Sequence, residues 1–209
     1  MRYRVDPRAS KLTARAFAGG ALSAMGHNPT FAIRDLSGEA EFDPEAPTSA
    51  SLRLVVRASL ALTDNVSDKD RREIERTTRD EVLESDKFPE ITYDCPGSKV
   101  TAAGPTQLTL AGDLTLHGIT RPQTVSVRVF PMGETLRGQG EATVRLSDYG
   151  IRPVSVAGGM LKVKDEVKLT FDIVARVAPD HQAGAREREA RSTHPGTAPE
   201  GSGAVPCVT

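Results

Sequence analysis

Chemistry in this 209-residue chain could begin at its four histidines, His27, His117, His181 and His194, or at its two cysteines, Cys95 and Cys207. None of the histidines stands at metal-ligand spacing from another His, Cys or carboxylate, so no metal site is expected. Cys95 lies in a strand-like run and Cys207 in a Gly/Pro-rich end, which points to two unlinked thiols rather than a disulfide framework. No Gly-rich phosphate loop, dinucleotide fingerprint or Gly-x-Ser-x-Gly elbow is present. No catalytic residue and no cofactor is therefore expected. His117 sits beside Gly118 and reads as a turn residue. His27 differs, because Gly26-His27-Asn28-Pro29 stands just before the Phe31/Ile33 alternation. It is either a loop histidine bonded to backbone or a polar group at the mouth of an apolar cavity, where few polar groups fix a ligand's orientation. A catalytic role ranks behind both, since no partner base or nucleophile stands at a defined spacing.

The apolar residues carry more. Runs at 10–18, 51–62, 107–117, 124–130, 136–146 and 166–177 alternate apolar and polar residues. Period two means a strand with one apolar and one wet face. One-sided strands belong to antiparallel sheets. Several runs exceed the usual ~5–6 residues of a strand. Long one-sided strands in succession predict a strongly curved sheet or an up-and-down barrel. The apolar parity would face the interior. It holds Leu12, Ala14, Ala16, Phe31, Ile33, Leu54, Val56, Leu110, Leu114, Val127, Ala142, Val144 and Phe171. With His27, these are the candidate ligand-binding residues. The same parity includes small residues, among them Gly38, Ala40, Ala58, Gly112, Gly138 and Gly140. They either leave room for a ligand or accommodate strand curvature while bulkier neighbours fill the space.

Between the runs, Gly118 to Pro122 reads as a hairpin connection. Residues 67–87 break the period. Ser67 and Asp70 resemble a capping box, and Ile74, Thr78 and Val82 make one narrow apolar stripe. Asp68/Arg72, Glu75/Arg79 and Arg76/Asp80 have i,i+4 spacing for ion pairs. This predicts one surface helix near residues 68–85, either covering a sheet edge or forming a lid at a barrel mouth. Residues 179–209 hold four prolines, four glycines and no aromatic residue, the composition of a disordered tail. The expected organisation is a barrel domain over 1–178 and a tail over 179–209.

The totals exclude several partners. Lys+Arg is 27 and Asp+Glu is 28, so no basic excess invites nucleic acid. No run approaches the ~20 apolar residues of a membrane helix. Met1 to Pro7 lacks the apolar core of a signal peptide, so the cytoplasm is the expected compartment.

Several blocks together resemble the YceI-like polyisoprenoid-binding proteins. They are Tyr3-x-Val5-Asp6-Pro7-x-x-Ser10, Ser37-Gly38-Glu39 before Phe42-Asp43-Pro44, and Phe88-Pro89-Glu90-Ile91-Thr92-Tyr93. The stretch GDLTLHGITRPQTVSV, LSDYGI at 146–151 and KDEVKLTFDIVA at 164–175 complete the set. The resemblance covers about residues 3–177. It implies an all-β fold, an extended lipocalin-like antiparallel β-barrel of about eight strands. It also implies binding rather than catalysis, with an isoprenoid or other lipid-like chain in the barrel. The expected function is that of a carrier or storage protein, with a homodimer left open. The alternatives are an enzyme using the same apolar cavity with His27 as acid or base, and a ligand-free structural barrel.

Overall fold

The computed structural model describes residues 1–19, 28–152, 155–156 and 161–179. Its strands are β1 (Arg2–Val5), β2 (Lys11–Gly19), β3 (Thr30–Ile33), β4 (Leu36–Glu41), β5 (Ser51–Arg57) and β6 (Leu60–Leu62). After a helix α1 (Asp68–Thr77) come β7 (Glu90–Cys95), β8 (Val100–Ala102), β9 (Gln107–Leu116) and β10 (Ile119–Met132). Then follow β11 (Thr135–Arg145), β12 (Ser155–Val156) and β13 (Leu161–Val177). Met1–Ala178 and Pro179–Thr209 separate as two units. The segment expected to be a disordered tail lies, beyond Pro179, outside the described residues, as does His27.

The strands close as expected. In the order β1-β4-β5-β7-β9-β10-β11-β13, each pairs with the next, and β13 returns to β1 through Tyr3↔Val177 and Val5↔Ala175. All these pairings are antiparallel. Eight closed strands leave no edge strand in the ring, and the interior is wide enough for packed side chains or one small ligand. The period-two pattern decides which way each residue points. On β9, Leu108, Leu110, Leu114 and Leu116 are buried, while Ala111 between them is exposed. The outer face carries cross-strand ion pairs such as Arg4–Glu39 and Lys168–Glu141, both exposed and so of small individual worth.

β1 and β2 are one path along β13, interrupted by a kink. Asp6 to Ser10 loops out where only Ile173 and Val174 stand opposite. The loop is held by side chains. The Asp6 carboxylate accepts from the Arg8 and Ala9 N–H groups and from Arg176 Nε at 2.9 Å. Ser10 Oγ donates to the Asp6 carbonyl and accepts from Val174 N–H. The Arg176 guanidinium, helped by the two backbone donors, holds the Asp6 carboxyl below its ordinary value against the opposing effect of burial. Bonds from Ser147 do the same to Asp165, and bonds from Arg137 and then Gln139 do it to Asp172. A carboxylate whose folded pKa is depressed stabilises the fold fully above its unfolded pKa of about 3.9, and that contribution is lost as pH falls through the folded value. The thermal midpoint should therefore decline steadily below about pH 4. Asp172→Asn should be less stable at neutral pH and show a shallower decline; an equally steep profile would remove Asp172 from the account.

Two features differ from the sequence reading. The hairpin connection is shorter than Gly118 to Pro122. It is the pair His117 and Gly118, with φ of 52° and 73°. Two consecutive positive φ values suit a two-residue hairpin, whose twist then matches the flanking strands. Ile119 to Pro122 belong to β10, and Pro122 pairs opposite Asp113. Pro122 is tolerated there because β11 joins β10 only from Ser126 onward, which leaves that stretch of β10 as an edge.

The helix is the second. Ser67 Oγ caps it by accepting from Asp70 N–H, and donates to the Asp70 carboxylate. After Thr77, however, the backbone widens into a π-helical turn over Thr78–Val82, closed by Leu83 N–H on the Thr78 carbonyl. The anticipated i,i+4 ion pairs are not what forms. Arg79 pairs with Asp80, Arg76 with Glu73 and Glu81, and Arg72 donates to the Asp68 carbonyl. Glu75 does something else. β6 is an edge strand, since the chain leaves β7 after Arg57↔Glu90. Glu75 Oε1 accepts the Leu62 N–H at 2.8 Å, while Arg71 donates to the carbonyls of Leu62 and Asp64. Two helix side chains thus take the place of a missing strand. A half-buried backbone donor bonded to a carboxylate is worth about 1.5–3 kcal/mol, against a few tenths for an exposed helix pair.

Candidate functional site

Inside the barrel lies a cavity of about 660 Å³. Every strand of the closed ring contributes to its wall: Val5, Ala40, Leu54, Ile91, Leu110, Val127, Ala142 and Phe171 stand on β1, β4, β5, β7, β9, β10, β11 and β13. The walls are apolar because every ring strand turns the same parity inward.

The structure brings together, around this one cavity, Leu12, Ala14, Ala16, Phe31, Ile33, Leu54, Val56, Leu110, Leu114, Val127, Ala142, Val144 and Phe171. His27 lies outside the described residues, although Pro29, two positions on, is part of the lining. The helix contributes more than its stripe. Ile74, Thr78 and Val82 reach the cavity, and so do Glu73, Thr77 and Leu83. Beyond Thr77 the π-helical turn over Thr78–Val82 carries the inward face on, so that Val82 and Leu83 line the cavity as well. The segment therefore both covers the β6 edge and forms part of the cavity wall.

The small inner residues divide between the two roles left open by the sequence. Ala14, Ala16, Ala40, Gly138 and Ala142 line the cavity. Gly112 and Gly140 instead make room for rings. A Cβ on Gly112 would stand 2.6 Å from Tyr93 Cζ and 2.6 Å from the Asp94 carbonyl. One on Gly140 would stand 2.6 Å from Phe171 Cζ and 2.4 Å from the Ser126 carbonyl. Aromatic rings lie across strand glycines here, filling space that the sequence alone leaves undecided.

Tyr93 is the main polar residue that sequence reading missed. Its ring is buried against Gly112, and its hydroxyl bridges β9 and β10. The hydroxyl accepts from Gly112 N–H at 3.0 Å and reaches the carbonyls of Leu110 at 2.9 Å and Gln123 at 3.1 Å. Burial pushes the phenol up to about 12, so it stays neutral. The remaining polar lining is sparse and lies among Glu41, Ser51, Asp64, Glu73, Thr77, Thr78 and Gln123. Asp64 accepts from Thr30 N–H at 2.7 Å, and Glu73 pairs with Arg76 at 3.0 Å.

His117 is tied to the helix connector rather than to the cavity. Its Nε2 lies 2.9 Å from Glu84 Oε2, and Phe88 packs on its ring with centroids 4.3 Å apart. Phe88 also covers Gly118, where a Cβ would meet it at 2.7 Å. The FPEITY and HGITRP blocks are thus in contact, and Ser147 and Asp165 join LSDYGI to KDE in the same way. Cys95 is buried and free among the described residues.

Several proteins resemble this chain. A UPF0312 protein of Pseudomonas fluorescens is 28% identical over 145 residues, spanning 65% of this chain and 71% of that protein. A UPF0312 protein of Shewanella sp. is 26% identical, spanning 57% and 62%. The chain thus spans roughly two thirds of the length of these curated relatives. Among solved structures, Burkholderia cenocepacia BcnA superposes with a TM-score of 0.65 at 20% identity, over 81% of this chain and 98% of that one. A polyisoprenoid binding domain from Saccharophagus degradans gives 0.60 at 15% identity, over 84% and 98%. At these identities the likeness is one of fold. Blocks that resembled YceI-like proteins meet one another in this barrel, a model of the YceI-like domain matches residues 3–175, and the chain belongs to that family.

Proposed function

We propose that the protein binds a hydrophobic or amphiphilic ligand, an isoprenoid or other lipid-like chain, in the barrel interior as a carrier or storage protein. The observation that carries this reading is the cavity, lined by apolar side chains from all eight strands of the ring. Its volume falls within the ~300–1,000 Å³ of small-molecule sites. Each CH₂ moved from water into such a space contributes ~0.8 kcal/mol, less the cost of ordering the chain. A ten-carbon stretch could therefore bind well with few polar contacts. The Saccharophagus degradans domain of the same fold is described as polyisoprenoid binding, which supports the ligand class. The role is one of binding rather than catalysis.

Native mass spectrometry of the full chain, followed by solvent extraction, tests this. A mass excess released as a long-chain lipid is the expected result. A protein that stays at its bare mass after incubation with polyprenyl and acyl lipids would favour the structural barrel.

A further inference from the structure

The charge distribution around the cavity bears on which chains it can accept. Among the described residues, no lysine or arginine lines it; the charged lining residues are Glu41, Asp64 and Glu73. The cations nearby are already engaged, either with backbone carbonyls or with these same carboxylates. Arg71 donates to the Leu62 and Asp64 carbonyls, Arg76 pairs with Glu73 and Glu81, and Arg2 lies 3.5 Å from Glu41. The segment over the β6 edge strengthens the bias. Residues 64–86 hold nine acidic and five basic side chains, in a chain whose net charge is only -1.

We propose that the barrel selects chains with an uncharged head, of the long-chain alcohol, ester or amide class, and discriminates against carboxylate- and phosphate-headed chains. This rests on the chain-binding reading above. An anion drawn into the cavity loses hydration worth several kcal/mol and finds no counter-charge among the described wall residues. An anion beside Glu41 or Glu73 must compete with that carboxylate for the arginine it already holds. A hydroxyl or ester head loses far less on burial, and Thr78 and Gln123 can each offer it a hydrogen bond. Selection comes from the penalty on the wrong head more than from attraction to the right one.

Four competitors of one chain length test this on the full chain: 1-tetradecanol, methyl tetradecanoate, tetradecanoate and tetradecyl phosphate. Each displaces the neutral dye N-phenyl-1-naphthylamine at about pH 8, above ordinary carboxylate pKa values. The two neutral chains should compete at least about tenfold more strongly than the two anions. Glu73→Lys, which removes a rim carboxylate and supplies a cation on an exposed helix face, should narrow that gap. Anions that bind as tightly as the alcohol would overturn the selection while leaving chain binding intact. An unchanged gap in a Glu73→Lys variant with the parent's thermal midpoint would overturn its assignment to the charge of the rim. A protein that binds neither the dye nor any of the four chains would overturn the chain-binding reading itself, and this inference with it.

Discussion

Ala142→Phe is expected to abolish binding of a fluorescent chain probe while leaving the thermal midpoint nearly unchanged. Ala142 lies on β11 opposite Leu169 of β13, and both line the cavity. A phenyl ring added there projects into the space a ligand would take. In a filled core, such an insertion usually costs ~1–3 kcal/mol through strain. In an open cavity of about 660 Å³ it finds room and adds apolar contacts. The cost appears as lost volume for the ligand, an affinity loss of at least about tenfold. Thr143→Phe is the control, since Thr143 is exposed on the outer face opposite Lys168. It should change neither property much. Probe displacement and thermal melting are measured on the same samples. Strong destabilisation by Ala142→Phe, with no probe binding by the parent, would show a filled barrel.

Gly140→Val, two residues away on the same face, should do the opposite. Strand propensity favours valine over glycine by up to ~1 kcal/mol, so propensity alone predicts a gain in stability. The structure predicts a loss. A Cβ at 140 would stand 2.4 Å from the Ser126 carbonyl, which β10 holds in its ladder, and 2.6 Å from Phe171 Cζ. The ring can turn away only into the cavity, and the carbonyl cannot move without its strand. The expected cost is about 3 kcal/mol, the upper end of overpacking effects. For a domain of this size that is roughly 6–12 °C in thermal midpoint. Gly138→Ala is the milder comparison, because a Cβ there meets only Val127 Cγ2, at 3.3 Å. A Gly140→Val variant as stable as the parent would mean that Phe171 does not lie across this glycine in solution.

These two neighbours show how far the sequence reads. Ala142 and Gly140 share one parity, and the alternation of β11 places both inward. Alternation is a local property, since successive side chains of a strand point to opposite faces whatever lies across from them. For that reason the inner faces of β2, β5, β9, β10, β11 and β13 were legible, together with the thirteen apolar residues now seen around the cavity. The helix start was legible for a similar reason, as Ser67 and Asp70 cap it within a single turn. The resemblance of blocks across residues 3–177 added closure and strand number, which alternation by itself left between a curved sheet and a barrel.

What only the tertiary structure decided depends on residues distant in the chain. Nothing near Gly140 announces that Phe171 covers it, nor near Gly112 that Tyr93 does. Glu75 was read as half of an exposed helix pair, because its four-residue spacing to Arg79 is visible and the open edge of β6 is not. The edge exists only because the chain leaves β7 after Arg57, and a half-buried backbone N–H left unpaired there draws the carboxylate more strongly than a solvated arginine does. His117 and Glu84 are 33 residues apart and meet through the closing of the β9–β10 hairpin over the helix connector. Sequence alone thus determined which residues turn inward, because that follows from strand geometry one residue at a time. Whether each inward position is wall, filler or pin was decided by which strand stands opposite, and that is a property of the closed barrel.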